Sequence, residues 1–269
     1  MKFFALIFVI FIAGCHSEKT SMQKFPPASS TTLSCHSTSD TALTVSKDDG
    51  NFEAKRLVSG LLIDGCGNDE AWANAPWYDM NYTWLGSTVD STDYHGRFKL
   101  AWDSQQLYIL VEVIDDYLQP TLRDGKENYW KGDYVEVFID EDNSGGDHKF
   151  NHQAFAYHIS TEGHAIDKNT LKKTVFFDEH VEVKRTKEGN RYYWEMAIKL
   201  FDENFEEDAA TNTPTIIFEN KRIGFSIAYG DNDGNNLREN FVGSKKTHGD
   251  NNDGGYINSD VFGSILFLK

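Results

Sequence analysis

One short stretch concentrates side chains that can act on a polar ligand. In Tyr129-Trp130-Lys131-Gly132-Asp133-Tyr134-Val135-Glu136 an indole ring precedes two carboxylates spaced i, i+3. Two carboxylates about 5–10 Å apart across a sugar ring would make a glycoside hydrolase. A single carboxylate beside a flat ring would bind a polar, hydroxyl-bearing ligand without cutting it, because charge-assisted hydrogen bonds to hydroxyls are strong. Trp130 lies in a polar loop, Lys126–Gly132, that lacks apolar periodicity. Its ring is therefore either a stacking platform or a lid over the edge of the core. On an extended strand an i, i+3 pair points to opposite faces. Asp133 and Glu136 are thus poor partners for hydrolysis, and the binding reading is the stronger one.

Two acidic turns, Asp140–Asp147 and Asp231–Asn236, offer oxygens at alternate positions, as calcium loops do. The first imitates the start of an EF-hand loop, with Asp140 and Asp142 as candidate ligands. Asn151 stands where the closing glutamate belongs, and no helices flank the turn, so a solvated hairpin competes with a structural calcium site. A haem domain is a further alternative. It is opposed by the absence of a CxxCH string and by Met196 and His158, which fall on opposite sides of their strands.

These side chains must be positioned by strands. Period-two alternation recurs at Arg97–Trp102, Leu107–Asp115, Tyr134–Asp140, Ala154–Ser160, His180–Arg185, Tyr192–Leu200, Ile223–Tyr229 and Ser264–Leu268. Helical pieces are expected only at Asp69–Asn74 and Phe201–Asp208. The pattern predicts an all-β fold, an antiparallel β-sandwich of jelly-roll or immunoglobulin-like type with short helical turns. Val135, Val137 and Ile139 form a core-facing stripe, which turns Glu136 to the other face. On Ile223–Tyr229 and Ala154–Ser160 that other face carries Gly224, Ser226, Ala228, Ala154, Ala156 and His158. Small residues there predict a trough beside Glu136, or a face covered by a loop. Trp72 and Trp102 are expected to pack.

Lys2, the run FFALIFVIFIAG and Cys15 read as a secretory signal peptide over residues 1–14. The run is too short for a spanning helix, which needs about 20 apolar residues. Its end, Ile12-Ala13-Gly14-Cys15, resembles the lipobox of bacterial lipoproteins. This implies acylation at Cys15 and an exported, lipid-anchored chain at the outer membrane or cell surface, or facing the periplasm. Residues 15–51 read as a polar tether and 52–269 as one domain. Cys35 and Cys66 remain as an even pair in an oxidising compartment, which predicts a disulfide, with two free thiols as the alternative. The formal charge is −16 over 269 residues. Such an excess opposes nucleic acid, whose phosphates need Lys and Arg, and suits a neutral polar ligand or cations. A monomer is expected.

Four strings in order, "LLIDGCGNDEAW", "KLAWDSQQLYILVEVIDD", "YWKGDYVEVFIDEDNSGGD" and "IGFSIAYGD" with "VFGSILFLK", resemble carbohydrate-binding module family 9 over about Leu61 to Lys269. The resemblance implies a non-catalytic β-sandwich that holds glucans, xylans or their oligosaccharides between two tryptophans, with structural calcium. It further implies polysaccharide catabolism, with a glycoside hydrolase such as an endo-xylanase as a possible associate. Carried over, the first clamp ring is Trp130 and the hydroxyl-binding carboxylate is Glu136. The second ring falls on Tyr256, a nearby polar contact on Asn252 or Asp253, and a calcium ligand on Asp115. An expected arginine is replaced by Ala156 and an expected glutamine by Ala228. His158 or His152 are candidates to substitute for them.

Overall fold

The computed structural model describes residues 44–269 apart from 59, 91–92, 124, 208 and 248–253. The chain divides into two units, Met1–Ser34 and Cys35–Lys269, and every described residue belongs to the second. Its strands are β1 (Thr44–Val45), β2 (Asn51–Arg56), β3 (Trp77–Asp79), β4 (Tyr82–Leu85), β5 (Tyr94–Trp102), β6 (Leu107–Asp115) and β7 (Tyr134–Asp140). There follow β8 (Phe155–Ser160), β9 (Ala165–Lys168), β10 (Thr174–Phe176), β11 (Val181–Glu188), β12 (Arg191–Ile198), β13 (Arg222–Asp231), β14 (Asn240–Gly243) and β15 (Gly263–Leu268). The hydrogen-bonded order is β10-β9-β8-β7-β13-β15-β2-β5-β6-β12-β11, with β14 and β4 extending from β13, and β3 and β1 from β5.

The path folds back on itself because two sets of strands share one core. Val135, Val137 and Ile139 of β7 and Phe225, Ile227 and Tyr229 of β13 pack with Ile109 and Val111 of β6 and Trp194 and Met196 of β12. Each such side chain contributes roughly 1.5–3 kcal/mol on burial. The result is the expected β-sandwich. It is not wholly antiparallel: β15–β2, β2–β5 and β1–β3 run parallel, and the first two join the layers.

Both outer faces carry smaller apolar clusters. Outside β5, β6 and β12, Trp72 and Trp77 cover Leu110, Tyr193 and Ala197. The string from Asp64 to Trp72 is held there by Glu195, which accepts from the N–H groups of Asp64 and Gly65 at 3.0 and 2.9 Å and from Trp72 Nε1 at 2.8 Å. Trp102 Nε1 donates to Leu268 O at 2.8 Å. Both tryptophans pack, as expected.

Several boundaries differ from the sequence reading. Residues 15–51 are not all tether, because β1 pairs with β3 and β2 begins at Asn51. Asp69–Asn74 reduces to a 3₁₀ turn over Glu70–Trp72. Residues 201–207 form turns rather than a helix. There the i, i+4 pair Phe201 and Phe205 is satisfied by tertiary contact, each ring lying within 4.7 Å of His180. Cys66 is disulfide-bonded. Cys15 and Cys35, with the signal-peptide residues, lie outside the described residues. Among the described residues no helix is long and apolar enough to cross a membrane.

Candidate functional site

On the outer face of β7, β8 and β13 one row of register partners runs from Ile166 (β9) through His158 (β8) and Glu136 (β7) to Ala228 (β13). Glu136 is only 2% exposed, and its Oε2 lies 3.4 Å from His158 Nε2. Above this floor is a cavity of about 470 Å³, within the range of small-ligand sites.

The walls come from loops far apart in sequence. One is the 3₁₀ turn Lys126–Lys131, which carries Tyr129 and Trp130. Its exit depends on Gly132, where a Cβ would stand 2.4 Å from Pro120 O. Buried Tyr129 props the exposed indole: its ring meets Trp130 edge-on at 5.3 Å and His158 edge-on at 4.6 Å. A second wall segment is the 3₁₀ turn Gly254–Tyr256 together with residues 148–151. Gly255 lies flat on Phe138, since a Cβ there would be 2.8 Å from its ring. Leu85, Leu237 and Arg238 close the third side. Trp130 and Tyr256 remain 36% and 43% exposed. The exposed Trp130 ring and the Tyr256 ring, over which Lys149 Nζ lies at 4.6 Å, can hold a pyranose beside a recessed carboxylate, with C–H bonds against the rings and hydroxyls on the floor.

Two carboxyl groups, Glu136 and Asp167, and three cationic side chains, Arg238, Lys149 and Lys168, line the cavity. Burial, aided by the Arg238 charge, lowers His158 to about 3, so the imidazole is neutral. Burial also raises Asp167 to about 7. Its oxygens accept from the N–H groups of Ala156 at 3.1 Å and Lys168 at 2.6 Å.

Residues 63–269 match the family described as carbohydrate family 9 binding domain-like. The chain belongs to this family. The family 9 domain is 30% identical over 97 residues to endo-1,4-beta-xylanase A of Thermotoga neapolitana, covering 36% of this chain and 8% of that enzyme. It is 28% identical over 216 residues to endo-1,4-beta-xylanase C of Paenibacillus barcinonensis, covering 80% of this chain and 17% of that enzyme. The chain thus corresponds to a small part of these curated relatives. A family 9 carbohydrate-binding module from Caldicellulosiruptor kristjanssonii, solved with cellotriose, superposes with a TM-score of 0.59 at 19% identity. That superposition covers 81% of this chain and 93% of the module, and it shows the shared fold.

In the family 9 domain the cavity gathers Trp130, Glu136, His158 and Tyr256. Asn252 and Asp253 lie outside the described residues. His152 is elsewhere, stacked on Phe155 at 5.4 Å and 3.1 Å from Glu207. Asp133 does not join Glu136. It is fully buried, accepts from the N–H groups of Gln119 and Asn232, and is pushed up to about 9 by burial and by the charge of Asp115. The Asp133–Glu136 pair considered for a hydrolase is therefore not assembled there. Met196 is in the core, away from His158.

The small residues do not leave an open trough: Ala156 and Ala228 are buried among Trp84, Tyr134, Phe138 and Phe241, and the cavity beside Glu136 is walled by loops instead. Space at Gly230 and Gly243 is filled by the rings of Tyr134 and Trp84, which a Cβ would meet at 2.5 and 2.0 Å. Arg238 is the residue the sequence reading missed. It donates to Tyr134 OH, lies 4.2 Å over Phe241, and puts a guanidinium at the cavity although Ala156 is small. No local pattern marks it, since it reaches the floor from the β13–β14 loop.

The candidate metal ligands also rearrange. Asp140 and Asp142 join no group of three carboxylates or imidazoles among the described residues. Asp140 instead accepts from Gly145 N–H at 2.8 Å and Asp142 from Ser144 N–H at 3.0 Å, closing the hairpin turn. Asp115 does converge, with Asp231 and Asp233, and Asp233 is shared with Asp93 and Asp116; the oxygens of each trio lie within 4.8 Å of one another. Asp231 Oδ2 and Asn240 Oδ1 are buried without a hydrogen-bond partner. Burial first, then neighbouring carboxylates, raise Asp231 to about 7 and Asp233 to about 6. Crowded, orphaned oxygens of this kind fit a hard cation.

Proposed function

We propose that this domain binds the sugar units of a glucan- or xylan-like polysaccharide, or of its oligosaccharides, without catalysis. The observation that carries this reading is the pair of exposed rings, Trp130 and Tyr256, flanking a cavity whose floor presents the buried Glu136 carboxylate. One sugar ring stacks between them while Glu136 takes its hydroxyls and Arg238 steadies the floor. Asn252 and Asp253 are further candidates for hydroxyl contacts. Glycan-array binding of the purified protein, followed by titration calorimetry, tests it; absence of binding to every neutral β-glucan and xylan oligosaccharide would end the proposal.

Around this core the reading extends in three directions. Acylation at Cys15 would tether the domain to the outer membrane or cell surface, supported by the lipobox-like end of the signal segment. Such a position suits capture of polysaccharide for catabolism, alone or beside a glycoside hydrolase, as the partial likeness to two xylanases supports. A calcium ion would be held by Asp115, Asp231 and Asp233, with Asp93 and Asp116 nearby. It would neutralise buried negative charge and serve stability rather than sugar contact.

A further inference from the structure

Phe150 is a large aromatic residue in a backbone conformation that large side chains avoid. Its φ is +65°, in the left-handed region where Cβ crowds the following carbonyl and Gly or Asn ordinarily stand. The other described non-glycine residues there are Asn143, Lys172 and Asn220. Core packing does not explain the choice. The ring is half-buried, belongs to none of the three apolar clusters, and lines the cavity. Strain of this kind persists only where the surroundings over-determine it, and it gathers at ligand clamps.

The surroundings here do over-determine it. Asn151 N–H donates to His148 O at 3.0 Å, and Asn151 Nδ2 donates to Asp147 O at 3.0 Å, closing the turn around Phe150. The same turn is fastened to the Tyr256 segment. His148 N–H donates to Ile257 O at 2.8 Å, His148 Nε2 lies 2.7 Å from Gly255 O, and Asp147 bridges to Asn258. Phe150 and Tyr256 are therefore carried by one rigid corner. Lys149 Nζ lies between them, 4.6 Å from the Tyr256 ring centre and 5.5 Å from that of Phe150. Lys172 Nζ is 5.3 Å from the Phe150 centre. Lys149 and Lys172 thus cover the Phe150 ring as cation–π partners; both are flexible side chains that can give up the face to the C–H bonds of a pyranose and donate to its hydroxyls.

We propose that Phe150 is a third aromatic contact of the cavity, holding the sugar unit next to the one between Trp130 and Tyr256. This rests on the carbohydrate reading above and sharpens it: the site selects a chain of at least two units over a monosaccharide, and Phe150 sets that preference.

The strain supplies an unusual test. Glycine accepts φ +65° without penalty, so Phe150→Gly removes the ring and relieves the backbone together. Titration calorimetry with glucose, cellobiose, cellotriose and xylotriose, beside melting curves, compares wild type, Phe150→Gly, Phe150→Tyr and Trp130→Ala. Phe150→Gly is expected to melt at or above the wild-type temperature. Its affinity for the oligosaccharides should fall about three- to ten-fold, the range that one stacking face commands, with affinity for glucose unchanged. Phe150→Tyr keeps the face and should bind like wild type. Wild-type affinity for every oligosaccharide in Phe150→Gly, with Trp130→Ala weakened, overturns the role of Phe150 and leaves the clamp standing. A wild-type protein that binds none of the four, nor any other neutral β-glucan or xylan oligosaccharide on the array, overturns the carbohydrate reading, and this inference with it.

Discussion

His158 and Glu136 are direct register partners on β8 and β7, and their side chains meet with His158 Nε2 3.4 Å from Glu136 Oε2. That distance is longer than an ordinary N–H···O hydrogen bond. The imidazole stays neutral because burial, aided by the Arg238 charge, disfavours its charged form. A folded-state value of about 3 against about 6.5 unfolded means that the unfolded chain takes up a proton that the native chain refuses. His158 therefore costs stability as pH falls from about 6.5 toward 3, at up to about 1.4 kcal/mol per unit. Denaturant melts of wild type and His158→Gln at pH 7 and 4.5 check this. The wild type should lose about 2–3 kcal/mol more than the variant over that interval; parallel losses would place the proton elsewhere.

Trp130→Ala and Tyr256→Ala should both weaken sugar binding with the fold intact, since neither ring belongs to a core cluster. A stacking face is worth on the order of 1 kcal/mol by analogy with aromatic pairs, or several-fold in affinity. Trp130 presents the larger face and is propped by Tyr129, so its loss should cost more. Calorimetry on both variants decides; unchanged affinity in Trp130→Ala would move the sugar to another surface.

Calcium should raise the melting temperature. At one hundred times the dissociation constant a cation bound only by the native state adds about 2.7 kcal/mol, or roughly 5–10 °C for a domain of this size. Asp231→Asn should abolish the increment, because Asp231 belongs to the Asp115–Asp231–Asp233 trio and its Oδ2 is buried without a hydrogen-bond partner. Sugar affinity should not respond to the ion. Differential scanning with calcium and with excess chelator reads this directly, and a melting temperature indifferent to both would mean that the cluster holds no ion.

Cys66 is buried and disulfide-bonded, and Cys35 is its proposed partner. Closing a loop of about 30 residues should stabilise by roughly 3–4 kcal/mol in the chain-entropy model. Thiol titration of the denatured, unreduced protein should find neither cysteine reactive, and Cys35→Ser should expose one thiol at Cys66. If Cys66 stays blocked in that variant, its partner is a different residue.

Alternation along single strands was enough to determine the sandwich, the core stripe of β7 and the outward turn of Glu136 and His158, because side-chain direction in a strand is a local property of period two. The Trp130-to-Glu136 spacing was legible for the same reason, with loop and strand contiguous in sequence. Tertiary structure alone decided the rest of the site. Arg238 and Phe150 come from separate loops with no repeating pattern, and they meet the floor only after β7, β8 and β13 have paired. The acidic residues make the point from the other side. Asp140 and Asp142 looked like ligands because they are neighbours in sequence, yet one oxygen of each accepts a backbone N–H of their own turn and neither joins a group of three among the described residues. The trios Asp115–Asp231–Asp233 and Asp93–Asp116–Asp233 are built from ends of strands far apart in sequence. Asp231 and Asp233 were legible as alternate positions of one acidic turn, but their meeting with Asp115, Asp93 and Asp116 was not, because the packed core is what holds those strand ends together.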